Sequence, residues 1–330
     1  MSSNGYSPMP AAPLEGSWFE DVVPIRRRPK HRYWLHLLLL LLTFLTTTIV
    51  GSGLARSFAV GRPFDFDIDL HGYVAMWRDP AYLLPGLPFS LTLLGILLAH
   101  EMGHFLTARY YGVDASLPFF IPAPTLIGTL GAFIRIRSAI LSKRVLFDIG
   151  IAGPLAGFAM LIVPLAAGLW LSKNIPGIAE RGELIFGTPL ILRLLEWIRF
   201  PGASAADIYL HPVARAAWVG VLATALNLLP IGQLDGGHIL YAFAGERTRK
   251  LSRVFVAALA SLGLFQLFTT EYKAGYTWLI WSVVLLIVAM RHPTIIDPVP
   301  VGRRRAWLGV LALLLLILSF TPVPVRPSGL

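Results

Sequence analysis

The sequence predicts an all-α polytopic membrane protein of about seven transmembrane helices, with a short re-entrant β-hairpin between the second and third helices. The first observation behind this prediction is composition: 55% of the 330 residues are hydrophobic and only 14% are charged. A water-soluble domain of this size needs more charge on its surface. The second observation is a series of apolar runs, each close to the roughly 20 residues that span a bilayer as a helix.

The apolar runs give the order of the predicted spans. They lie near residues 33–55, 88–108, 145–171, 213–234, 252–270, 276–290 and 306–322. A weaker stretch, Leu184 to Ile198, contains Arg193 and Glu196. Because these charges disfavour a membrane-spanning position, we expect this stretch to lie along the membrane surface as a helix.

The segment from Leu117 to Ser138 differs from its neighbours. Three prolines in its first half disfavour a helix, and Gly128 and Gly131 precede an alternating run from Ala132 to Arg137. Alternation of this kind is typical of a β-strand. The segment therefore predicts the re-entrant hairpin between the second and third spans.

The basic residues predict the topology. Of the 28 Lys and Arg residues, 18 fall in four groups: five in residues 1–32, five in 109–144, four in 247–253 and four in 291–305. With seven spans and a cytoplasmic N-terminus, all four groups face the cytoplasm, in agreement with the positive-inside rule. The net charge of +10 is thus explained by topology, and we expect no nucleic-acid partner because no such motif accompanies it.

The second predicted span contains the pattern H-E-x-x-H, formed by His100, Glu101 and His104. Residues i and i+4 share one helix face, so both imidazoles can bind one ion, with Glu101 beside it as a base for the attacking water. An acid inside a membrane helix costs roughly 2.5–3.5 kcal/mol and therefore needs a partner or a wet cavity. The alternative, that the three residues merely lie at the cytoplasmic interface, does not explain why they occur together.

A catalytic zinc ion has three protein ligands and one open position, so two histidines are one ligand short. The sequence contains no cysteine, which leaves His, Asp or Glu. Asp235 follows Pro230 and Gly232, which predict an interrupted helix at the end of the fourth span. The predicted topology places His104 and Asp235 at similar depth, and we favour Asp235 over the competing ligand His238.

Two further polar residues lie within the predicted spans or at their ends. Asn227 either donates a hydrogen bond to the substrate backbone or the oxyanion, or joins two helices. Asp148 lies at the start of the third span, where an acid commonly caps a helix.

These segments resemble the site-2 protease family of intramembrane zinc metalloproteases. The resemblance rests on His100-Glu101-Met102-Gly103-His104 and on the Asn-x-x-Pro-x-x-x-Leu-Asp-Gly form from Asn227 to Gly236, and it covers roughly residues 88–240. It implies that His100, His104 and Asp235 bind one Zn²⁺ per chain and that Glu101 is the catalytic base. It also implies transmembrane protein substrates, often trimmed first by another protease.

The sequence departs from many family members in two respects. It has no room for a PDZ domain or a nucleotide-sensing domain, so we interpret it as a PDZ-less member. The segment from Gly153 to Gly157 is similar to the Gly-Pro segment of the family, but Gly157 replaces an Asn that many members have. We interpret this segment as small-residue helix packing.

The predicted function is therefore hydrolysis of peptide bonds in transmembrane segments of membrane-anchored regulatory proteins. The hairpin would hold the unwound substrate as an added strand, with Gly131 and Phe133 binding it. The rival function is a zinc or proton-coupled transporter, which explains the buried polar residues. That rival does not explain the open coordination position beside Glu101.

The predicted organisation is a cytoplasmic basic, disordered tail over residues 1–32, a membrane protease domain over 33–322 and a short C-terminal tail over 323–330. The catalytic core of the protease domain covers about 88–240. We expect a multi-pass protein within the lipid bilayer of the bacterial cell (inner) membrane, with its N-terminus in the cytoplasm.

Overall fold

Helices make up most of the structure, as the composition predicts. The computed structural model describes residues 32–63, 66–270, 275–288, 295, 297 and 299–328, without the side chains of 66–71 and 288. The predicted tail over residues 1–32 lies almost wholly outside this description. In the described part the α-helices are α1 (Tyr33–Val60), α2 (Phe66–Arg78), α3 (Leu87–Tyr110), α4 (Lys143–Trp170), α5 (Leu190–Arg199), α6 (Pro212–Leu228), α7 (Asp235–Ala244), α8 (Thr248–Thr269), α9 (Tyr276–Val288) and α10 (Arg303–Ser319).

The β-strands are short and pair two by two. They are β1 (Phe119–Pro122), β2 (Thr129–Phe133), β3 (Lys173–Asn174), β4 (Leu184–Phe186), β5 (Ile208–Tyr209) and β6 (Val325–Pro327). Antiparallel pairs form between β1 and β2, β3 and β5, and β4 and β6. The predicted C-terminal tail is therefore partly in a strand.

Four helical stretches of the described residues are long and apolar enough to cross a membrane: Tyr33–Val60, Pro80–Tyr110, Lys143–Trp170 and Asp235–Thr269. Helices α6 and α9 are apolar but shorter. The mostly helical fold with several membrane-length helices is thus confirmed, whereas the total of seven spans stays a prediction. The predicted fourth span, 213–234, is helical only as far as Leu228.

Helix α4 lies at the centre of the bundle and contacts α3, α6, α7 and α10. Its fully buried Leu161 and Leu165 join Phe89 and Leu93 of α3 in the main apolar core. A Cβ atom at Gly103 of α3 would overlap the backbone of α4. Small residues therefore let α3 and α4 approach closely, as is common for helices packed within membranes.

The predicted hairpin segment contains the antiparallel pair β1–β2, in which Phe119 lies opposite Phe133. The turn between the strands is fastened to α1, because the Thr46 hydroxyl donates to the Gly128 carbonyl at 2.6 Å. His36 Nδ1 of α1 is 3.0 Å from the carbonyl of Pro118, just before β1. The pair thus lies between α1 and α3, with β2 next to α3; its insertion into a membrane stays a prediction.

The stretch expected along the membrane surface contains β4 and then α5. Helix α5 is strongly amphipathic: Glu196 is only 4% exposed, whereas Trp197 is 73% exposed. One face of α5 therefore packs on the protein, and the other presents apolar side chains to the surroundings.

Candidate metal centre

Helix α3 presents the polar pattern that the sequence predicts. His100 and His104 are one turn apart, so both side chains project from the same face. His100, Glu101 and His104 are each 7% exposed, although they interrupt an otherwise apolar helix. The three side chains are therefore buried within the protein, and their depth in the membrane stays a prediction.

Glycines of α4 make room for these imidazoles. A Cβ atom at Gly153 would overlap the His104 ring, and one at Gly157 would lie 3.1 Å from the Cβ and Nδ1 atoms of His100. The segment around Gly153 was predicted to serve helix packing, and the structure places that packing directly against the two histidines.

Asp235 is brought to the histidines by an interruption between α6 and α7. Helix α6 ends at Leu228, and Asp235 is the first residue of α7. The intervening loop is held by Ser252 of α8, whose hydroxyl donates to the Pro230 carbonyl at 3.1 Å and accepts from the Gly232 amide at 3.2 Å. The interrupted helix that Pro230 and Gly232 predict is therefore present, and it positions the carboxylate.

Three side chains converge on one point. His100 Nε2 lies 3.2 Å from His104 Nε2 and 3.2 Å from Asp235 Oδ2. His104 Nε2 lies 3.3 Å from Asp235 Oδ1. Zinc–nitrogen and zinc–oxygen bonds of about 2.0–2.1 Å in a tetrahedral site place ligand atoms about 3.3 Å apart. The observed separations therefore fit a zinc ion, and these residues form the one such candidate group found among the described residues.

The chemistry of the donors agrees with this fit. His104 Nδ1 lies 2.7 Å from the Ile149 carbonyl, which can only accept, so Nδ1 carries the proton. In the neutral form of the ring, Nε2 then presents a lone pair toward the carboxylate of Asp235. Two acceptors that face each other at 3.3 Å repel unless a proton or a metal ion lies between them, and the pair therefore suits a cation. The carbonyl–histidine arrangement is also the usual support for a metal-bound imidazole.

The remaining predicted residues also lie at this centre. His238, the competing third ligand, lines a cavity beside His104 and Asp235, but it is not one of the three residues that converge. Asn227 Nδ2 lies 3.3 Å from His100 Nε2, so the side chain of Asn227 bridges from α6 to α3. This contact is compatible with both interpretations of Asn227.

Two cavities of about 210 Å³ each meet at the metal centre. The first, here named the His238 cavity, extends past His104 and Asp235. The second, named the α9 cavity, extends between β2, α6 and Trp281 of α9. Glu101 lines both cavities, so its carboxylate borders space that water or a substrate can enter.

Strand β2 runs along both cavities. Gly131 lines the α9 cavity, and Phe133 lines the His238 cavity. The amide of Gly131 donates to its own strand neighbour, the Thr129 hydroxyl, at 3.0 Å. Because that amide already has a partner within the hairpin, it is not free to pair with a substrate strand. Fewer backbone groups of β2 therefore remain for such pairing.

Asp148, Arg305 and Tyr111 form a hydrogen-bonded cluster near the metal centre that the sequence did not predict. Arg305 of α10 binds Asp148 through Nε and Nη2 at 2.7 and 2.6 Å, and the Tyr111 hydroxyl donates to the same carboxylate at 2.6 Å. The cap of α4 is Ser142, whose hydroxyl accepts from the Arg144 amide, so the expected capping role of Asp148 is wrong. Asp148 instead joins α4 to α10 and to Tyr111, the residue that follows α3, and it lies immediately before Ile149, whose carbonyl binds His104.

The fold and the site together define a helical membrane protein with a buried group of two histidines and one aspartate, close enough to bind one metal ion, and an adjacent glutamate. A comparison with known protein families matches residues 88–270 to peptidase family M50. Proteins named "Probable zinc metalloprotease EGY1, chloroplastic" from Oryza sativa subsp. japonica and Arabidopsis thaliana are each 34% identical to this chain, over 258 and 250 residues. The chain belongs to peptidase family M50, the site-2 protease family.

The similarity covers 74% and 72% of this chain but 43% of each EGY1 protein. "Probable zinc metalloprotease EGY2, chloroplastic" from Arabidopsis thaliana is 32% identical over 255 residues, which is 75% of this chain and 44% of that protein. The chain thus spans less than half the length of these relatives. Their names give no support to the transporter alternative, and as chloroplast proteins of plants they do not support the predicted bacterial inner membrane.

Proposed function

We propose that this protein is a zinc-dependent protease that hydrolyses peptide bonds within transmembrane segments of other proteins. The observation that carries the proposal is the convergence of His100, His104 and Asp235 beside Glu101, within a bundle of apolar helices. Membership of peptidase family M50 supports the same activity.

Each residue of the metal centre has its own role in the proposed reaction. A bound zinc ion supplies Lewis-acid activation of water and stabilises negative charge on the substrate carbonyl oxygen. His100, His104 and Asp235 hold the ion, and the Ile149 carbonyl keeps His104 in the correct tautomer. Glu101 takes the proton from the attacking water and returns it to the leaving amine.

Strand β2 is the proposed guide for the substrate. A peptide carbonyl inside a helix is hydrogen-bonded and covered, so the substrate must unwind before it is cut. An unwound segment in a membrane has unpaired backbone groups, which pairing with a strand edge satisfies. β2 lies beside both cavities, and Asn227 is close enough to His100 to donate to a substrate carbonyl at the centre.

The proposed substrates are membrane-anchored regulatory proteins that another protease has already shortened. We further propose seven spans with a cytoplasmic N-terminus, supported by the four groups of basic residues. With this topology, Asp235 lies at the cytoplasmic end of the fourth span. The hairpin then enters the membrane from the cytoplasmic side.

The test is cleavage of a reporter transmembrane peptide by the purified protein in lipid vesicles. Glu101→Gln should lower the rate constant by about 100-fold or more while bound zinc is unchanged, because it removes the general base alone. Glu196→Gln makes the same chemical change at a buried glutamate of α5, far along the chain from the centre, and should leave cleavage intact. Unchanged cleavage by Glu101→Gln, or zinc flux into vesicles without cleavage, would contradict the proposal.

A further inference from the structure

The α9 cavity is apolar except where it meets the metal centre. Its walls come from α3, β2, α6 and α9 and include Leu97, Leu130, Trp281 and Leu285. The hydroxyl of Thr224, which also lines it, already donates to the Gly220 carbonyl at 2.9 Å. Away from His100, Glu101 and Asn227, the cavity therefore offers few polar groups to an incoming side chain.

The α9 cavity lies next to the place where the substrate bond would be cut. Five residues line both cavities: His100, Glu101, Ala132, Asn227 and Leu234. An extended chain running beside β2 would pass from one cavity to the other with its cleaved bond next to Glu101. Successive side chains of an extended chain point in opposite directions, about 3.3 Å apart along the chain. One side chain next to the cleaved bond thus points into the α9 cavity.

We propose that the α9 cavity binds a large apolar side chain of the substrate residue next to the cleaved bond, and that Ala223 sets the size of side chain accepted. This inference rests on the proposed protease function. The cavity volume of about 210 Å³ exceeds the roughly 150 Å³ of an apolar cavity that holds benzene, so it accommodates Leu, Met or Phe. A charged side chain would lose its hydration there without gaining a partner.

Ala223 is the wall residue at which size can be changed with least disturbance. It is half-buried, lines the cavity and lies on α6 one turn before Asn227, which also lines it. Gly220, one turn earlier, has no such freedom, because a Cβ atom there would lie 2.8 Å from Ile96. Gly131 has φ +101°, which disfavours any larger residue irrespective of space. A bulky residue at 223 therefore fills the cavity and leaves the helix backbone in place.

The experiment is a cleavage-site profile with a mixture of peptides from a digested proteome, read by mass spectrometry. The unmodified protein should cut beside Leu, Met or Phe at one flanking position, at least about tenfold more often than beside Ala. Ala223→Phe should shift that position to Gly, Ala or Ser, whereas Ala223→Ser, which keeps the cavity, should retain the original preference. Zinc content should be the same in all three proteins.

A binding measurement separates recognition from turnover. The best-cut peptide and its copy with Ala at the selected position are titrated onto Glu101→Gln protein, with and without Ala223→Phe. The peptide with the larger side chain should bind the Glu101→Gln protein at least about tenfold more tightly than its Ala copy. This difference should disappear when Ala223→Phe is added. Cleavage with no size preference, or an Ala223→Phe profile like that of the unmodified protein, would overturn this inference and leave the proposed function standing. Absence of all cleavage by the unmodified protein would overturn both.

Discussion

Single glycine residues decide whether the two histidines can reach a common ion. Gly153 faces His104, and Gly157 faces His100, with no space for a side chain at the first position. The sequence identifies the candidate ligands, because H-E-x-x-H and a helix-breaking segment before Asp235 each have a specific spacing. It does not identify the Ile149 carbonyl as the partner of His104, since a backbone group has no residue type to recognise.

Gly153→Ala should reduce zinc affinity by at least about tenfold, because the added methyl group overlaps the His104 ring and displaces a ligand. The matched control is Gly95→Ala on α3, whose added Cβ meets only the flexible end of Met160 at 3.3 Å. Zinc content of the purified variants by elemental analysis, with a competing chelator to measure affinity, checks the prediction. Full zinc affinity in Gly153→Ala would show that His104 is not held against α4 as described.

At the scale of elements, the hairpin and the interrupted helix are the parts that position the site. The prolines and glycines between residues 117 and 138 predict a hairpin, and the strands 119–122 and 129–133 lie inside that segment. Sequence patterns did not predict that the turn of the hairpin is fastened to α1 through Thr46. Nor did they predict that Ser252 fixes the loop before Asp235. Such contacts join residues far apart in the chain, and each involves a backbone group.

Phe133→Pro should slow cleavage of a transmembrane peptide by at least about tenfold without changing bound zinc. Proline removes a backbone donor and disrupts strand pairing at the part of β2 that lines the His238 cavity. Phe133→Ala is the control, because it removes the ring but keeps the amide, and it should cleave faster than the proline variant. Equal rates for the two variants would show that the backbone of β2 does not hold the substrate.

At the scale of the whole molecule, composition and apolar runs predict the helical membrane fold, and the prolines and glycines within those runs predict where a helix is interrupted. The predicted span 213–234 is interrupted after Leu228, where Pro230 and Gly232 favour a loop that Ser252 stabilises. The ion pair between Arg305 and Asp148 fastens α10 to α4 across 157 positions of the chain. Pairing over such a distance depends on how helices pack, which the local pattern around either residue does not reveal.

The topology prediction is tested by single cysteines in a chain that has none of its own. Lys250→Cys and Ser204→Cys are both at exposed positions, on opposite sides of the predicted fourth span. A membrane-impermeant thiol reagent applied to sealed, oriented vesicles should label them from opposite faces, and the unmodified protein should take up no label. Labelling of both from one face would refute the seven-span arrangement.

The central claim, that two histidines and one aspartate hold a single catalytic zinc ion, is tested most directly by zinc stoichiometry together with cleavage rate in matched variants. The unmodified protein and Glu101→Gln should each hold one zinc ion, with cleavage lost only in the glutamine variant. His100→Ala, His104→Ala and Asp235→Ala should each lose the ion and the activity. His238→Ala should keep both, because His238 lies outside the convergent group. Retention of zinc and activity by Asp235→Ala, with their loss in His238→Ala, would contradict the account.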